Sequence, residues 1–178
     1  MPGAPIAAWE GGTLAPHDKI DVHRRGLRHP AVSVFLVVGD EVLLQRRALG
    51  KYHTPGLWAN SCCTHPHWQE DPEACARRRV REELGIEVGA LDHRGTVEYR
   101  ADVGGGMIEH ELVEVFRAAV DRKPALFPDP SEVMECRWVP VAHLHALIAA
   151  SPQAFTPWLK IYLQDHFTEI FAQGTRPA

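Results

Sequence analysis

The run AVSVFLVV over residues 31–38 is apolar at nearly every position and rich in β-branched side chains. Such a short, continuous run predicts a buried strand. Gly39-Asp40 then supplies a turn, and EVLLQR over 41–46 returns as the second arm of a hairpin. Residues 48–60 contain Gly50, Pro55 and Gly56 and read as a loop. At Asp71-Pro72 the period changes. Asp can cap free amides, Pro suits the first helical position, and Ala76, Val80 and Leu84 recur every four residues until Gly85 ends the helix. Two strands follow near Ala90–Ala101 and Ile108–Val120, joined by three glycines at 104–106. Lys123–Pro130, with three prolines, is a loop; Cys136–Val139 is a short strand. Val141–Ala150 reads as a helix with Leu144, Leu147 and Ile148 inward. A last helix starts at Thr156-Pro157 and runs to about Phe171. Strands, helix, strands, helices predicts an α+β fold with a mixed sheet between helices.

Residues 1–16 hold Pro2, Pro5, Pro16 and three glycines and are expected as an N-terminal arm, loose or forming an edge strand. Residues 17–178 are expected as one domain, a usual size for a single core. Apolar residues at 45% and charged residues at 24% are globular usage. The net charge of -4, without a basic run, speaks against general nucleic-acid binding. No apolar run approaches the ~20 residues that span a bilayer. Four cysteines, two of them adjacent, do not make a disulfide framework, so a reducing cytoplasm is the expected location.

The candidate chemistry lies in the 11 histidines and in two acidic clusters. Glu109 and Glu111 are two apart on a predicted strand and leave the same face, where they repel unless a cation joins them. His23, His29 and His65 can supply imidazoles. Together these five groups suit a six-coordinate Mn²⁺ or Mg²⁺, and Zn²⁺ also accepts imidazole. His17 is a weaker substitute for His23, and His110 alternates away from the acidic face. On the helix, Arg78–Glu82 and Arg79–Glu83 are i,i+4 pairs, worth about 0.3–0.5 kcal/mol each if they are only surface pairs. Cys75 and Cys136 read as small buried hydrophobes. A zinc knuckle at Cys62, Cys63, His65 and His67 is disfavoured, because adjacent residues rarely both reach one tetrahedral ion.

Several segments resemble a known family. RRRVREELGI over 77–86, with Glu70, Arg78, Val80, Glu82, Glu83, Gly85 and Ile86 at the motif's spacing, resembles the second half of a Nudix box. Thr64 stands where the box has Gly, and Arg79 where it has Glu. TPGLWANSCCTHP over 54–66 resembles the signature of type 1 isopentenyl-diphosphate isomerases. RRALGK (46–51), YRA (99–101), GMIEHE (106–111) and FTPW (155–158) resemble further segments of that family in its order. The resemblance covers about residues 17–165. It implies a Nudix-like α/β/α sandwich with a loop–helix–loop motif for diphosphate and metal. It implies His23, His29, His65, Glu109 and Glu111 as metal ligands, and Mg²⁺ held between Glu83 and the substrate diphosphate.

The resemblance also implies that Cys63 and Glu111 exchange protons with an alkene from opposite faces. Tyr99 would hydrogen-bond Glu111, Trp158 would stabilise a tertiary carbocation, and Trp58 would help close the pocket. Lys19, Arg47, Lys51 and Arg79 would bind the diphosphate. A thiol starts near pKa ~8.5 and can be lowered by nearby cations, so Cys63 can trade a proton around neutrality. No Gly-rich flavin loop is visible, so no flavin is expected. The expected partner is a small-molecule diphosphate, with no nucleic acid and no membrane; the oligomeric state is left open. The rival readings are a Nudix pyrophosphohydrolase acting on a nucleotide and a non-enzymatic, metal-stabilised interaction module.

Overall fold

The computed structural model describes residues 5–172. The first four residues of the expected arm and residues 173–178 of the expected domain lie outside that range. The central strand, β3 (His29–Val38), is buried on both faces. It pairs in parallel with β8 (Met107–Ala119) and antiparallel with β4 (Glu41–Arg47). β7 (Asp92–Gly104) pairs antiparallel with β8 and forms the sheet's far edge.

Alternation along β3 assigns its two faces. Ala31, Phe35 and Val37 enter one apolar core, and Val32, Val34 and Leu36 enter another. Helix α2 (Pro72–Leu84) covers the second core with Cys75, Ala76, Val80 and Leu84. Asp71 caps it by accepting from the Ala74 amide at 3.0 Å. Gly85 ends it at φ +68°, and a Cβ there would sit 2.5 Å from the Phe127 carbonyl oxygen, so only glycine fits. The first core is covered by α3 (Leu144–Ala150), α4 (Pro157–Asp165) and α5 (Phe167–Phe171). The result is an α/β/α sandwich around a mixed sheet.

The predicted hairpin is present but splayed. β3 and β4 pair only at Val37–Val42 and Val38–Glu41. Beyond that, β6 (Cys62–Thr64) takes the free edge of β3, while β5 (Trp58–Ala59) and β9 (Val133–Pro140) pair with β4. Asn60 and Ser61 fill the fork. Asn60 Nδ2 donates to the Val34 and Cys62 carbonyls (3.1 Å each). Ser61 Oγ donates to the Leu43 carbonyl (2.7 Å) and accepts from the Leu36 amide (2.8 Å). Both side chains are fully buried and satisfied, which fixes the segment leading into Cys62-Cys63.

Several expectations need correcting. The stretch expected as an arm is a hairpin of β1 (Ile6–Glu10) and β2 (Thr13–His17). Ile6, Ala7 and Ala8 are buried, and the expected boundary after residue 16 falls inside β2. Helix α1 (Lys19–Arg25) was not foreseen; Asp18 caps it and Gly26 ends it at φ +63°. The stretch 48–60 contains β5. Leu147 is 39% exposed rather than inward, while Leu144 and Ile148 on the neighbouring face of α3 meet the core. The expected last helix breaks at His166, whose φ of -131° is not helical.

Candidate active site

Strand register assembles the site. Across three strands, His29 pairs with Glu111 and Tyr99 also pairs with Glu111. Alternation points Glu109 and Glu111 to the same buried face as Val113 and Val115. β6 then sets Cys63 opposite Ser33, next along β3. α1 adds His23, buried beneath its last turn.

Four ligand-type groups converge. The imidazoles of His23, His29 and His65 and the carboxylate of Glu109 each offer an atom, all within 4.8 Å of one another. Glu109 Oε2 lies 3.3 Å from His23 Nε2 and 3.4 Å from His29 Nε2. His65 Nε2 meets Glu111 Oε1 at 2.9 Å, and Tyr99 donates to Glu111 Oε2 at 2.6 Å. Two of the rings are oriented by the backbone. His23 Nδ1 contacts the Lys19 carbonyl (2.6 Å) and His29 Nδ1 the Leu27 carbonyl (2.8 Å). A proton on Nδ1 donated to these carbonyls leaves the Nε2 lone pairs facing inward, the arrangement metal-bound histidines adopt. His29 Nε2 and Glu109 Oε2 are buried without a hydrogen-bond partner among the described residues. Buried polar atoms are seldom left so, and a divalent cation would satisfy both. The donor set therefore fits a divalent metal.

Without an ion, the buried carboxylates and imidazoles shift one another's titration. Burial opposes the Glu109 carboxylate, yet His23, His29 and His53 hold it well below the usual range. Burial and the neighbouring Glu109 raise Glu111 to about 7. Burial disfavours the His29 cation, but Glu109 and Glu111 outweigh it and raise that imidazole to about 10. His65 is pushed well below its ordinary value by burial and by Lys19.

Cys63 donates to Asn60 Oδ1 at 2.7 Å and accepts from Ser33 Oγ at 3.5 Å. Its thiol is pushed up to about 12, by burial first and by Glu111 among its charged neighbours. The expected lowering by cations fails, because Arg47 is too weak an influence to offset burial. Cys62, one residue earlier, turns into the core beneath α2 and is fully buried.

Cys63, His65, Tyr99, Glu109, Glu111 and Trp158 line one inner cavity of about 30 Å³, room for about one water. Lys19, Arg47, Lys51 and Arg79 line it too. Lys19, Lys51, His65 and Arg79 also line an outer cleft of about 260 Å³. Burial and the neighbouring Lys51 lower the Lys19 ammonium to about 8. The Arg47 guanidinium lies 5.3 Å from the Trp158 ring centroid. Arg79 donates to Glu82 (2.8 Å) and Glu83 (2.7 Å) and lies 3.2 Å from Glu132, which also pairs with Lys51.

Not every predicted residue joins the cluster. Glu83 is buried on the α2 side, one oxygen taken by Arg79 and the other by Gln45 Nε2 at 2.8 Å. Trp58 does not close the cavity; its ring packs 4.8 Å from the Arg137 guanidinium and lines a separate pocket. His17 sits near Glu10, outside the cluster. His110 is half-buried beside Glu98. Residues that sequence reasoning missed are Tyr52, His53, Asn60 as the Cys63 partner, and Glu132. Tyr52 and His53 directly follow the basic RRALGK segment, and two ring side chains there were the available signal.

Comparisons with known proteins give the family and the fold. The NUDIX domain family model matches residues 27–159. An isopentenyl-diphosphate Delta-isomerase of Rhodobacter capsulatus is 56% identical over 170 residues, covering 96% of this chain and 97% of the relative. One of Roseobacter denitrificans is 54% identical over 168 residues, covering 94% and 96%. Among solved structures, one from Deinococcus radiodurans superposes with a TM-score of 0.70 at 17% identity, covering 91% of this chain and 98% of that one. A MutT NUDIX hydrolase from Burkholderia pseudomallei gives 0.60 at 22% identity, covering 76% and 95%. These two show the fold. No helix among the described residues is long and apolar enough to cross a membrane. With a family model matching most of its length and relatives above 50% identity end to end, the chain belongs to the NUDIX family and, within it, to the isopentenyl-diphosphate Delta-isomerases.

Proposed function

We propose that this protein interconverts isopentenyl diphosphate and dimethylallyl diphosphate by proton transfer through Cys63 and Glu111. The observation that carries the reading is their meeting in one cavity beside Trp158, ringed by Lys19, Arg47, Lys51 and Arg79. Moving an unactivated double bond requires one proton to enter and another to leave, with a tertiary carbocation between. The Cys63 thiol rests protonated, held by Asn60. Glu111 is pushed up by burial and by Glu109 in the ion-free site and is held by Tyr99, which places a proton-exchanging carboxyl at the cavity wall. The reverse reaction exchanges the two roles. The Trp158 face offers the cation an attraction of roughly 0.5–2 kcal/mol. The inner cavity must widen to admit a five-carbon chain, since it has room for about one water.

His23, His29, His65, Glu109 and Glu111 would hold Mn²⁺, Mg²⁺ or Zn²⁺. Bound there, the ion would supply positive charge that joins the two carboxylates and lowers the cost of keeping Glu111 ionised. The diphosphate would lie in the outer cleft against Lys19, Lys51 and Arg79. Glu83 would hold a Mg²⁺ beside the diphosphate through the carboxylate lone pairs that Arg79 and Gln45 leave free. We place the reaction in the cytoplasm and expect no flavin.

The test is incubation with isopentenyl diphosphate and Mg²⁺. Dimethylallyl product without phosphate release supports the reading. Phosphate release from nucleoside diphosphate derivatives, without isomerisation, overturns it in favour of a hydrolase.

A further inference from the structure

Glu109 divides its oxygens between different partners. Oε2 faces the imidazoles of His23, His29 and His65, at 3.3, 3.4 and 4.0 Å. Oε1 stands 2.6 Å from Nε2 of a fourth imidazole, His53. That ring is buried, 4% exposed, in the loop between β4 and β5. It is gripped on several sides. Nδ1 lies 2.9 Å from the Thr54 hydroxyl. The His53 carbonyl accepts from Arg47 at 3.1 Å. The ring meets Trp158 edge-on, 5.8 Å between centroids.

Thr54 itself is buried and adopts φ +45°. A β-branched residue there is strained, and such strain persists only where the surroundings enforce it. Glycine would make the same turn without strain, but it has no hydroxyl. A Thr54 hydroxyl that donates to Nδ1 leaves the ring proton on Nε2, the atom facing Glu109. His53 Nε2 has no aligned hydrogen-bond partner among the described residues, so its contact with Oε1 is close but off the N–H axis. The ligand atoms within 4.8 Å of one another do not include His53.

We propose that His53 is a positioning residue for Glu109. It occupies Oε1, so that Oε2 alone is presented to the three imidazoles. The proposal rests on the reading of that cluster as a divalent-metal site. Groups that contact a ligating carboxylate orient it, and losing one typically costs about 10–100-fold in metal affinity. Thr54 acts one step further out, by setting the tautomer of His53.

The experiment titrates the full chain with Mn²⁺ alone, following free Mn²⁺ by electron paramagnetic resonance, in His53→Ala, His53→Gln, Thr54→Val and His65→Ala. Pulsed resonance on the bound ion reports the coupled imidazole nitrogens. His53→Ala should weaken Mn²⁺ about 10–100-fold with the nitrogen couplings unchanged. His53→Gln, whose amide can reach Oε1, should recover most of the affinity. Thr54→Val should lose affinity in the same direction by a smaller factor. Loss of one nitrogen coupling in His53→Ala would make His53 a ligand and overturn the proposal. Unchanged Mn²⁺ affinity in His53→Ala, or in Thr54→Val should the alanine variant not fold, would overturn it too. His65→Ala separates the two ideas. If it binds Mn²⁺ normally, the metal reading fails; if it does not while His53→Ala does, only the positioning role fails.

Discussion

On α2, every carboxylate of the cluster is already matched by a guanidinium. Arg78 grips Glu70 through two contacts (2.6 and 2.8 Å) and reaches Glu82 (3.1 Å), while Arg79 holds Glu82 and Glu83. On β8, Glu109 and Glu111 face imidazoles and a phenol, and His29 Nε2 and Glu109 Oε2 have no hydrogen-bond partner among the described residues. Guanidinium remains charged at any working pH and weakens its cluster as a cation site unless an anion arrives with the cation. Imidazole can be neutral and leave a lone pair, so its cluster still accepts a cation. Two acidic groups on opposite faces of one sheet thus have different uses. The helix can serve anions through Arg79, and the strand can serve a metal and a proton.

The sharpest way to break this contrast is at Cys63, which belongs to the strand side only. Cys63→Ala should lower isomerase turnover by about 10²–10⁴-fold, the usual worth of a general acid or base. Cys62→Ala, in the opposite core, should keep most activity and lose some stability. The reverse pattern in steady-state assays would show that the wrong thiol has been assigned. The next effect is on metal. His65→Ala and Glu109→Gln should each lose more of the bound divalent ion than the about 10–100-fold typical of groups outside the ligand set. Full occupancy by elemental analysis in both variants would remove these residues from the site.

Arg79→Glu converts the helix cluster toward the metal-binding kind. Removing its charge-assisted contacts, each worth about 1.5–3 kcal/mol, should weaken inorganic diphosphate binding by roughly 10–100-fold. It should also strengthen divalent-ion binding near Glu82 and Glu83 in the absence of diphosphate. Calorimetry reads both changes, and undiminished diphosphate affinity would exclude Arg79 from the anion site.

How much of this was legible before the structure depended on sequence distance. Period-2 alternation placed Glu109 and Glu111 on one face, and period-4 spacing with the Asp71 and Gly85 caps located α2. The neighbourhood of His29 and Glu111 was not readable from pattern, because parallel strands about 80 residues apart set that register. Helix α1 escaped because seven residues, mostly charged, carry too little periodicity; its caps, Asp18 and Gly26, were the only mark. The break at His166 had no Pro or Gly to announce it. His53 was hidden in a stretch read as loop, and its meaning comes from the fold that brings it to Glu109.

The smallest expected effect concerns the rim shared by both regions. Lys19 lies beside the Tyr52 ring, 4.9 Å from its centroid, and burial with Lys51 nearby lowers its ammonium to about 8. An anion in the cleft favours the charged form. Inorganic diphosphate should therefore bind with pH-independent strength from Lys19 below about pH 8. Above that pH affinity should fall by at most about tenfold per unit, the limit for one proton. Diphosphate titrates as well, so the measurement is the ratio of Lys19→Arg to the parent protein across pH 6.5 to about 9.5. Arginine stays charged throughout, and the ratio should rise above pH 8. Stability gives the opposite sign. Between the folded value near 8 and the unfolded value near 10.5, the unfolded chain holds the extra proton, so Lys19 makes unfolding harder as pH rises. The slope is at most about 1.4 kcal/mol per pH unit, and Lys19→Met should remove it. A flat binding ratio together with an unaltered slope in Lys19→Met would mean that Lys19 titrates as an ordinary surface lysine and takes no part in holding the anion.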